Sequence, residues 1–180
     1  GTLSPTFATA TKTYTASVAN TVTSMTVTPT VTDATATVKV NGTAVTSGAA
    51  SGSVSLAVGT NTITIVVTAQ DGVTTTTYTV TVTRAGSATS SLSALSLSSG
   101  TLSPSFAAGT TSYTASVANG VSSITVTPTA SQANATVKVN GTAVTSGAAS
   151  GSIALAVGTT TITIHVTAQD GVATTTYTVT

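Results

Sequence analysis

The stretch ITIVVTAQDGVTTTTYTVTVT, Ile63–Thr83, decides the predicted fold. Apolar and hydroxyl residues alternate on both sides of the pair Asp71-Gly72, and a period of two is typical of β-strands that a tight turn connects. The stretch therefore predicts a β-hairpin. It recurs as ITIHVTAQDGVATTTYTVT over Ile162–Thr180, with its turn at Asp170-Gly171.

The hairpin belongs to a longer repeat. Residues 1–81 align without a gap with residues 100–180, and 64 of these 81 pairs are identical. The offset of 99 residues matches the roughly 100 residues of an immunoglobulin-like sandwich and exceeds the roughly 20–50 residues of solenoid and propeller repeats. Each copy is long enough to bury its own core. We therefore predict repeat 1 over residues 1–84, a linker over residues 85–91 and repeat 2 over residues 92–180.

The two copies start at different points of the repeat, because residues 82–99 occur only once. We expect repeat 1 to lack its leading strand and repeat 2 to lack the end of its last strand. This offset indicates a segment of a longer tandem array. In such an array, the strand that repeat 1 lacks would come from a preceding segment or from a neighbouring chain.

Composition excludes several classes of partner. Charged residues make up 4% of the chain, and the net charge is +1, whereas an average soluble domain is about 25% charged. Binding to nucleic acid or to an anionic membrane surface requires clustered Lys and Arg, which the chain does not have. No run of about 20 apolar residues predicts membrane insertion. The chain contains no cysteine, so disulfides and thiolate metal sites are excluded.

Repeat 2 predicts seven short strands that turns rich in Gly, Asn and Asp separate. Their predicted ranges are 92–97, 112–117, 123–129, 135–139, 153–157, 160–168 and 174–180. Asn140-Gly141 is a strong hairpin signal, and a further short strand is expected after it. The predicted fold class is all-β, with two tandem seven-stranded immunoglobulin-like sandwiches. Alternation places two Tyr and one Phe of each copy in an aliphatic core, and Tyr177 and Val179 face inward on the last strand.

Several motifs carry a family resemblance when they occur in this order. They are LSALSLSSGTLSPSF (92–106), TVTPT (125–129), ATVKVNGTAV (135–144), LAVGTTTITIHVTAQDG (155–171) and, in repeat 1, TTTYTVTVTR (75–84). Together they resemble the cadherin-like β-sandwich module that occurs in tandem in large secreted and surface proteins of bacteria. The resemblance implies an immunoglobulin-like fold and a structural or adhesive role, and it brings no catalytic residues.

The pattern of the acidic residues is typical of turns and not of a metal or catalytic site. Asp71 and Asp170 are the only acids that both copies share, and Asp33 is replaced by Gln132 in repeat 2. A calcium site takes 6–8 oxygens, usually from several carboxylates. Aspartate before glycine instead accepts hydrogen bonds from its own turn. We interpret both shared acids as turn formers and predict no metal site.

The other candidates for chemistry are also weak. His165 replaces Val66, is expected to face outward, and has no predicted nucleophile or base beside it. No serine occupies a strand-to-helix elbow. The sequence therefore predicts no enzyme, no catalytic residue and no cofactor. Asn41, Asn140 and Asn134 match the N-glycosylation pattern, but the first two are explained as turn residues.

We predict a structural module of an extracellular or cell-surface bacterial protein, such as a stalk, an adhesin shaft or a filament. Its expected partners are neighbouring copies of the repeat, with strand exchange in a polymer. One alternative is a carbohydrate- or surface-binding adhesion module, although the aromatic residues are expected in the core. Another is ice binding through the threonine rows, which the twist of sandwich sheets opposes.

Overall fold

Sixteen strands and no helix make up the computed structural model, which describes residues 1–180. The chain divides into unit 1, residues 1–86, and unit 2, residues 87–180. Alternating burial along the strands explains this architecture, since in Thr13–Val18 every second side chain is buried and the others are exposed. The all-β class with two tandem immunoglobulin-like sandwiches, as predicted from the sequence, is confirmed.

Unit 1 contains seven strands in two layers. A five-stranded sheet has the order β1-β7-β6-β3-β4, and β2 pairs with β5 in the second layer. The strands β1 and β7 are parallel, and all other pairs are antiparallel. The strands are β1 (Thr13–Val18), β2 (Ser24–Met25), β3 (Thr37–Val40), β4 (Thr43–Val45), β5 (Val54–Ser55), β6 (Gly59–Thr68) and β7 (Thr75–Arg84).

Unit 2 repeats this sheet and adds a second pair of strands to the second layer. The five-stranded sheet has the order β13-β12-β15-β16-β9, and the pairs β10-β14 and β11-β8 lie in the second layer. The strands are β8 (Leu92–Leu97), β9 (Ser112–Tyr113), β10 (Ser123–Ile124), β11 (Val126–Ala130), β12 (Thr136–Val139), β13 (Thr142–Val144), β14 (Ile153–Ala154), β15 (Ile162–Thr167) and β16 (Thr174–Val179).

The hairpin that opened the sequence analysis forms the centre of each sheet. β6 pairs antiparallel with β7 in unit 1, with Ile63 opposite Val80, and β15 pairs with β16 in the same way in unit 2. The inward face of this hairpin is buried, including Ile63, Val80 and Tyr177. Each unit has its own aliphatic core cluster around this face.

Three predicted strands of unit 2 are wrong in length. The strand predicted over 112–117 ends at Tyr113, and only an isolated bridge from Thr114 to Ser103 follows. The strand predicted over 123–129 is divided into β10 and β11. Together with β13, the further short strand expected after Asn140-Gly141, this division gives unit 2 nine strands. The strand predicted over 153–157 ends at Ala154, and Val157 is 95% exposed in the loop before β15.

The segment predicted as a linker, residues 85–91, is hydrogen-bonded on both sides of the unit boundary. Ala85 donates its amide to the carbonyl of Val18 in unit 1. In unit 2, Ser87 bonds Gln169 and Asp170, and Ser90 bonds Thr175. The chain is therefore hydrogen-bonded within unit 1 at Ala85 and within unit 2 at Ser87 and Ser90.

Candidate functional site

The two shared aspartates organise the hairpin turns. The Oδ1 atom of Asp71 accepts the amides of Val73 and Thr74 at 2.9 and 2.8 Å, and Gly72 has a φ of 72°. Asp170 accepts the amides of Val172 and Ala173 in the same way. The Asp71 carboxylate therefore satisfies turn amides, which is the role that the sequence indicated.

These hydrogen bonds also set the ionisation of the carboxyls. The hydroxyl of Thr74, followed by the turn amides, lowers the pKa of Asp71 below its ordinary value. The turn amides alone lower the pKa of Asp170, and the Thr35 side chain and amide lower that of Asp33. A low pKa keeps each carboxylate ionised and unsuited to donating a proton near neutral pH. No group of three or more His, Cys, Asp or Glu side chains is placed to hold a metal ion.

His165 lies on β15 beside a hydroxyl and no acid. Its Nδ1 atom is 3.0 Å from the Oγ1 atom of Thr176 on β16, directly across the strand pair. It is partly exposed between the buried Ile164 and Val166, as the alternation predicted. The imidazole of His165 bonds no carboxylate, so it lacks the acid that orients the base of a catalytic triad.

The asparagines of the hairpin turns have structural roles. Asn41 and Asn140 both have a φ of 47°, and their Oδ1 atoms accept the amides of Thr64 and Thr163 at 2.8 Å. Asparagine tolerates this left-handed conformation better than most residues. Asn134, in contrast, lies exposed before β12 and accepts no hydrogen bond through its side chain.

Unit 1 contains an apolar groove of about 530 Å³. It is lined on one side by aromatic rings and on the other by the segment Val27–Asp33. Phe7 lies 5.8 Å from Tyr14 and 5.9 Å from Tyr78, measured between ring centroids, and is 55% exposed. The expectation that the aromatic residues lie in the core is therefore wrong for Phe7, although its counterpart Phe106 is half-buried against unit 2.

Unit 2 has its own cavity, of about 630 Å³, at the end of β16. The corresponding part of unit 1 contains Arg84, whose guanidinium donates to the carbonyls of Asn20 at 2.7 Å and Leu56 at 2.8 Å. The counterparts of these two acceptors, Asn119 and Leu155, line the unit 2 cavity. Sequence reasoning assigned Arg84 no role, because only the folded unit brings these carbonyls to one guanidinium.

The fold and these sites define a pair of immunoglobulin-like β-sandwich modules whose polar residues serve turns and strand edges. The family described as "Cadherin-like: Cadherin-like beta sandwich domain" matches residues 2–85 and 92–180. The chain belongs to this family, as the motifs of the sequence indicated.

Comparisons with individual proteins are more limited. A protein of Evansella cellulosilytica named "Putative membrane protein" is 42% identical over 80 residues. The match covers 44% of this chain and 12% of that protein, so this chain spans only a small part of its relative. No helix in the structure is long and apolar enough to cross a bilayer.

A solved structure of Dscam1 isoform 7.44, with its N-terminal four Ig domains, aligns with 99% of this chain and 46% of its own. The sequences are 15% identical, and the TM-score is 0.33, which is too low to indicate a shared arrangement.

Proposed function

We propose that the chain is a non-catalytic structural module of an extracellular bacterial surface protein, in which tandem sandwiches form a shaft or filament and bear load. The observation that carries this proposal is the parallel pairing of β1 with β7 over six consecutive residue pairs, Thr13 to Val18. These strands lie nearest the two ends of unit 1. A force applied to the ends therefore pulls two parallel neighbours in opposite directions and loads their hydrogen bonds together.

The hydrogen bonding of the buried polar groups also suits a module that must stay folded under load. Every buried side-chain nitrogen or oxygen has a hydrogen-bond partner, and breaking a satisfied interior costs more than breaking a solvated contact. The exterior carries hydroxyls where most proteins carry charge, since 48 Thr and 24 Ser are present. A nearly neutral surface gives little repulsion between neighbouring copies, which favours dense arrays.

Two further observations support the location. The motifs of the chain resemble the cadherin-like module of bacterial surface proteins, and a partial relative has the name "Putative membrane protein". We infer that the chain lies outside the cell and belongs to a protein that is attached to the cell surface through another of its segments. Immunogold labelling of intact cells with antibodies against this chain tests the location. Labelling only after permeabilisation would contradict it.

Single-molecule force spectroscopy tests the mechanical role. The chain has no cysteine, so pairs of introduced cysteines define the pulling points. Pulling unit 1 between Thr13 and Ala85 loads the β1-β7 pair in shear, because these residues lie at opposite ends of the parallel pair, whereas pulling between Ala19 and Ala85, which lie at the same end, separates the two strands one hydrogen bond at a time. We expect a clearly higher unfolding force in the first geometry, by about twofold or more, because several bonds must break together. Equal forces would contradict the load-bearing role.

A second candidate function is carbohydrate binding, which the exposed ring of Phe7 beside Tyr78 favours. Exposed aromatic faces are suited to stacking on sugar rings through apolar contact. A glycan array with the whole chain tests this candidate. Saturable binding that Phe7→Ala abolishes would support it, and no binding would leave the structural module as the only proposed function.

A further inference from the structure

Three tripeptides of the chain match the Asn-x-Thr pattern of N-linked glycosylation, and the load-bearing role uses none of them. They are NGT at 41–43, NAT at 134–136 and NGT at 140–142. The structure separates them into two kinds. The fold uses the side-chain amide of two of these asparagines and leaves the side-chain amide of the third without a hydrogen bond.

Asn41 and Asn140 are fixed by hydrogen bonds across a strand pair. The backbone amide of Asn41 donates to the carbonyl of Thr64 at 2.8 Å, and its Oδ1 atom accepts the amide of Thr64 at 2.8 Å. Asn140 and Thr163 make the same two bonds. Both asparagines have a φ of 47°, which their two-residue turns require. A transferase would therefore have to rotate either side chain away from its partner strand and break the bond at Oδ1.

Asn134 makes no such bond. It lies exposed in the turn before β12, and its side chain neither donates nor accepts a hydrogen bond. The middle residue of its tripeptide, Ala135, is buried, whereas Asn134 and Thr136 on either side are both exposed. These two exposed residues are the ones that define the pattern, so a transferase can reach both of them on the folded unit.

The turn that contains Asn134 does not need an asparagine. In unit 2, Oε1 of Gln132 accepts the backbone amide of Asn134 at 2.6 Å, and the carbonyl of Gln132 accepts the next amide of the chain. In unit 1, Asp33 accepts the amide of Thr35 through Oδ1 and the following amide through its carbonyl. Because the residue at 33 or 132 supplies both acceptors, the side chain of Asn134 has no part in holding the turn.

We propose that Asn134 is an N-glycosylation site, and that it takes a sugar that is activated by phosphate at its anomeric carbon. In the reaction, Nδ2 of Asn134 attacks the anomeric carbon, a nitrogen–carbon bond forms, and the bond from that carbon to the phosphate oxygen breaks. The amide proton passes to a base of the transferase, and the phosphate-bearing group leaves. Asn41 and Asn140 stay unmodified in the folded chain. This inference does not depend on the load-bearing role.

The first test is peptide mapping by mass spectrometry of the protein isolated from the cells that produce it. Trypsin cleaves after Lys39, Arg84 and Lys138, so the three asparagines fall in the separate peptides 40–84, 85–138 and 139–180. We expect a sugar on peptide 85–138 alone. The added mass identifies the donor, because nucleotide-linked sugars are added singly and lipid-linked sugars are transferred as a preassembled chain. Unmodified Asn134, or equal modification of all three peptides, would overturn the proposal.

The second test measures the selectivity on the folded chain. The whole chain is incubated with a soluble N-glycosyltransferase and nucleotide-linked glucose, and the same three peptides are followed. We expect Asn134 to react at least about fivefold faster than Asn41 or Asn140, because each of these two must first lose a hydrogen bond. Thr136→Val keeps a β-branched residue in β12 and removes the hydroxyl, and it should abolish the reaction at Asn134. Equal rates at the three asparagines would overturn the assignment.

Unit 1 offers a matched gain of the site. Residues 33–37 read DATAT where residues 132–136 read QANAT. The double variant Asp33→Gln with Thr35→Asn therefore copies the whole pentapeptide into the same turn of unit 1. Both substituted residues are exposed, so the variant should keep the melting temperature of the unaltered chain. We expect residue 35 to be glycosylated at a rate comparable with that of Asn134. Modification of Asn134 without modification of residue 35 in the same molecules would show that the turn does not determine the site, and would overturn the proposal.

Discussion

Replacing Tyr177 by alanine should strongly lower both the melting temperature of unit 2 and the urea concentration at which it unfolds. Its side chain is 0% exposed, lies in the core cluster of unit 2 and accepts the buried amide of Leu92 at 2.9 Å. Deleting a large buried aromatic side chain costs about 3–5 kcal/mol of unfolding free energy. For a domain of this size, the lower bound corresponds to a fall in melting temperature of about 12 °C or more.

Two further variants divide this cost into its parts. Tyr177→Phe keeps the ring and leaves the amide of Leu92 without its partner, which costs about 1–3 kcal/mol. Tyr78→Ala removes the corresponding residue of unit 1, which is only half-buried and lies beside the groove. We expect it to cost less than half as much as Tyr177→Ala, because less apolar surface is exposed to water by the change.

The assay is urea unfolding of the whole chain, followed by assigned amide NMR signals so that each unit reports separately. The midpoint of unit 2 should fall in the Tyr177 variants while that of unit 1 stays constant. A loss below about 1 kcal/mol for Tyr177→Ala would refute the inward assignment of β16. Equal losses for Tyr78→Ala and Tyr177→Ala would refute the difference in burial between the two units.

Two other predictions concern polar contacts. Arg84→Ala should destabilise unit 1 by about 1–3 kcal/mol, because the partly buried carbonyls of Asn20 and Leu56 lose a charged donor. Arg84→Lys should recover little of this stability, because lysine lacks the planar guanidinium that bonds both carbonyls. Chemical unfolding measures the stability of both variants. The pKa values of Asp33 and Asp71 are lowered in the folded state, so both carboxylates stabilise unit 1 above their unfolded pKa, and this stability is lost as the pH falls through the folded pKa values. We therefore expect the melting temperature of unit 1 to decrease when the pH is lowered beneath about 4. The double variant Asp33→Asn with Asp71→Asn should reduce this pH dependence.

The sequence predicted those features that depend on local pattern. Period-two alternation placed Tyr177 and Val179 inward on β16, and the three leucines of Leu92–Leu97 indicated the whole range of β8. The Asn140-Gly141 pair predicted a turn with two positive φ angles, which the structure has at 47° and 82°. These features are predictable because the chemistry of one or two residues determines the backbone.

Features that depend on residues distant in the sequence were harder to predict from the sequence. The length of the strand predicted over 112–117 depends on a partner strand, and β9 pairs with β16 through Ser112 and Tyr113 alone. Phe7 is exposed although its pattern is that of a core residue, since no strand covers the groove beside it. Alternation shows which face of a strand is apolar, but only tertiary contacts decide whether that face is covered.

Amide hydrogen exchange of the unaltered chain tests the central claim, that units 1 and 2 differ in whether a strand covers one edge. Thr28 and Thr127 lie in the same tetrapeptide, Val-Thr-Pro-Thr, as do Thr30 and Thr129, so their intrinsic exchange rates match. Thr127 and Thr129 face β8, whereas Thr28 and Thr30 have no partner. We predict exchange slower by at least about 100-fold in unit 2. Equal protection of the two pairs would contradict the account.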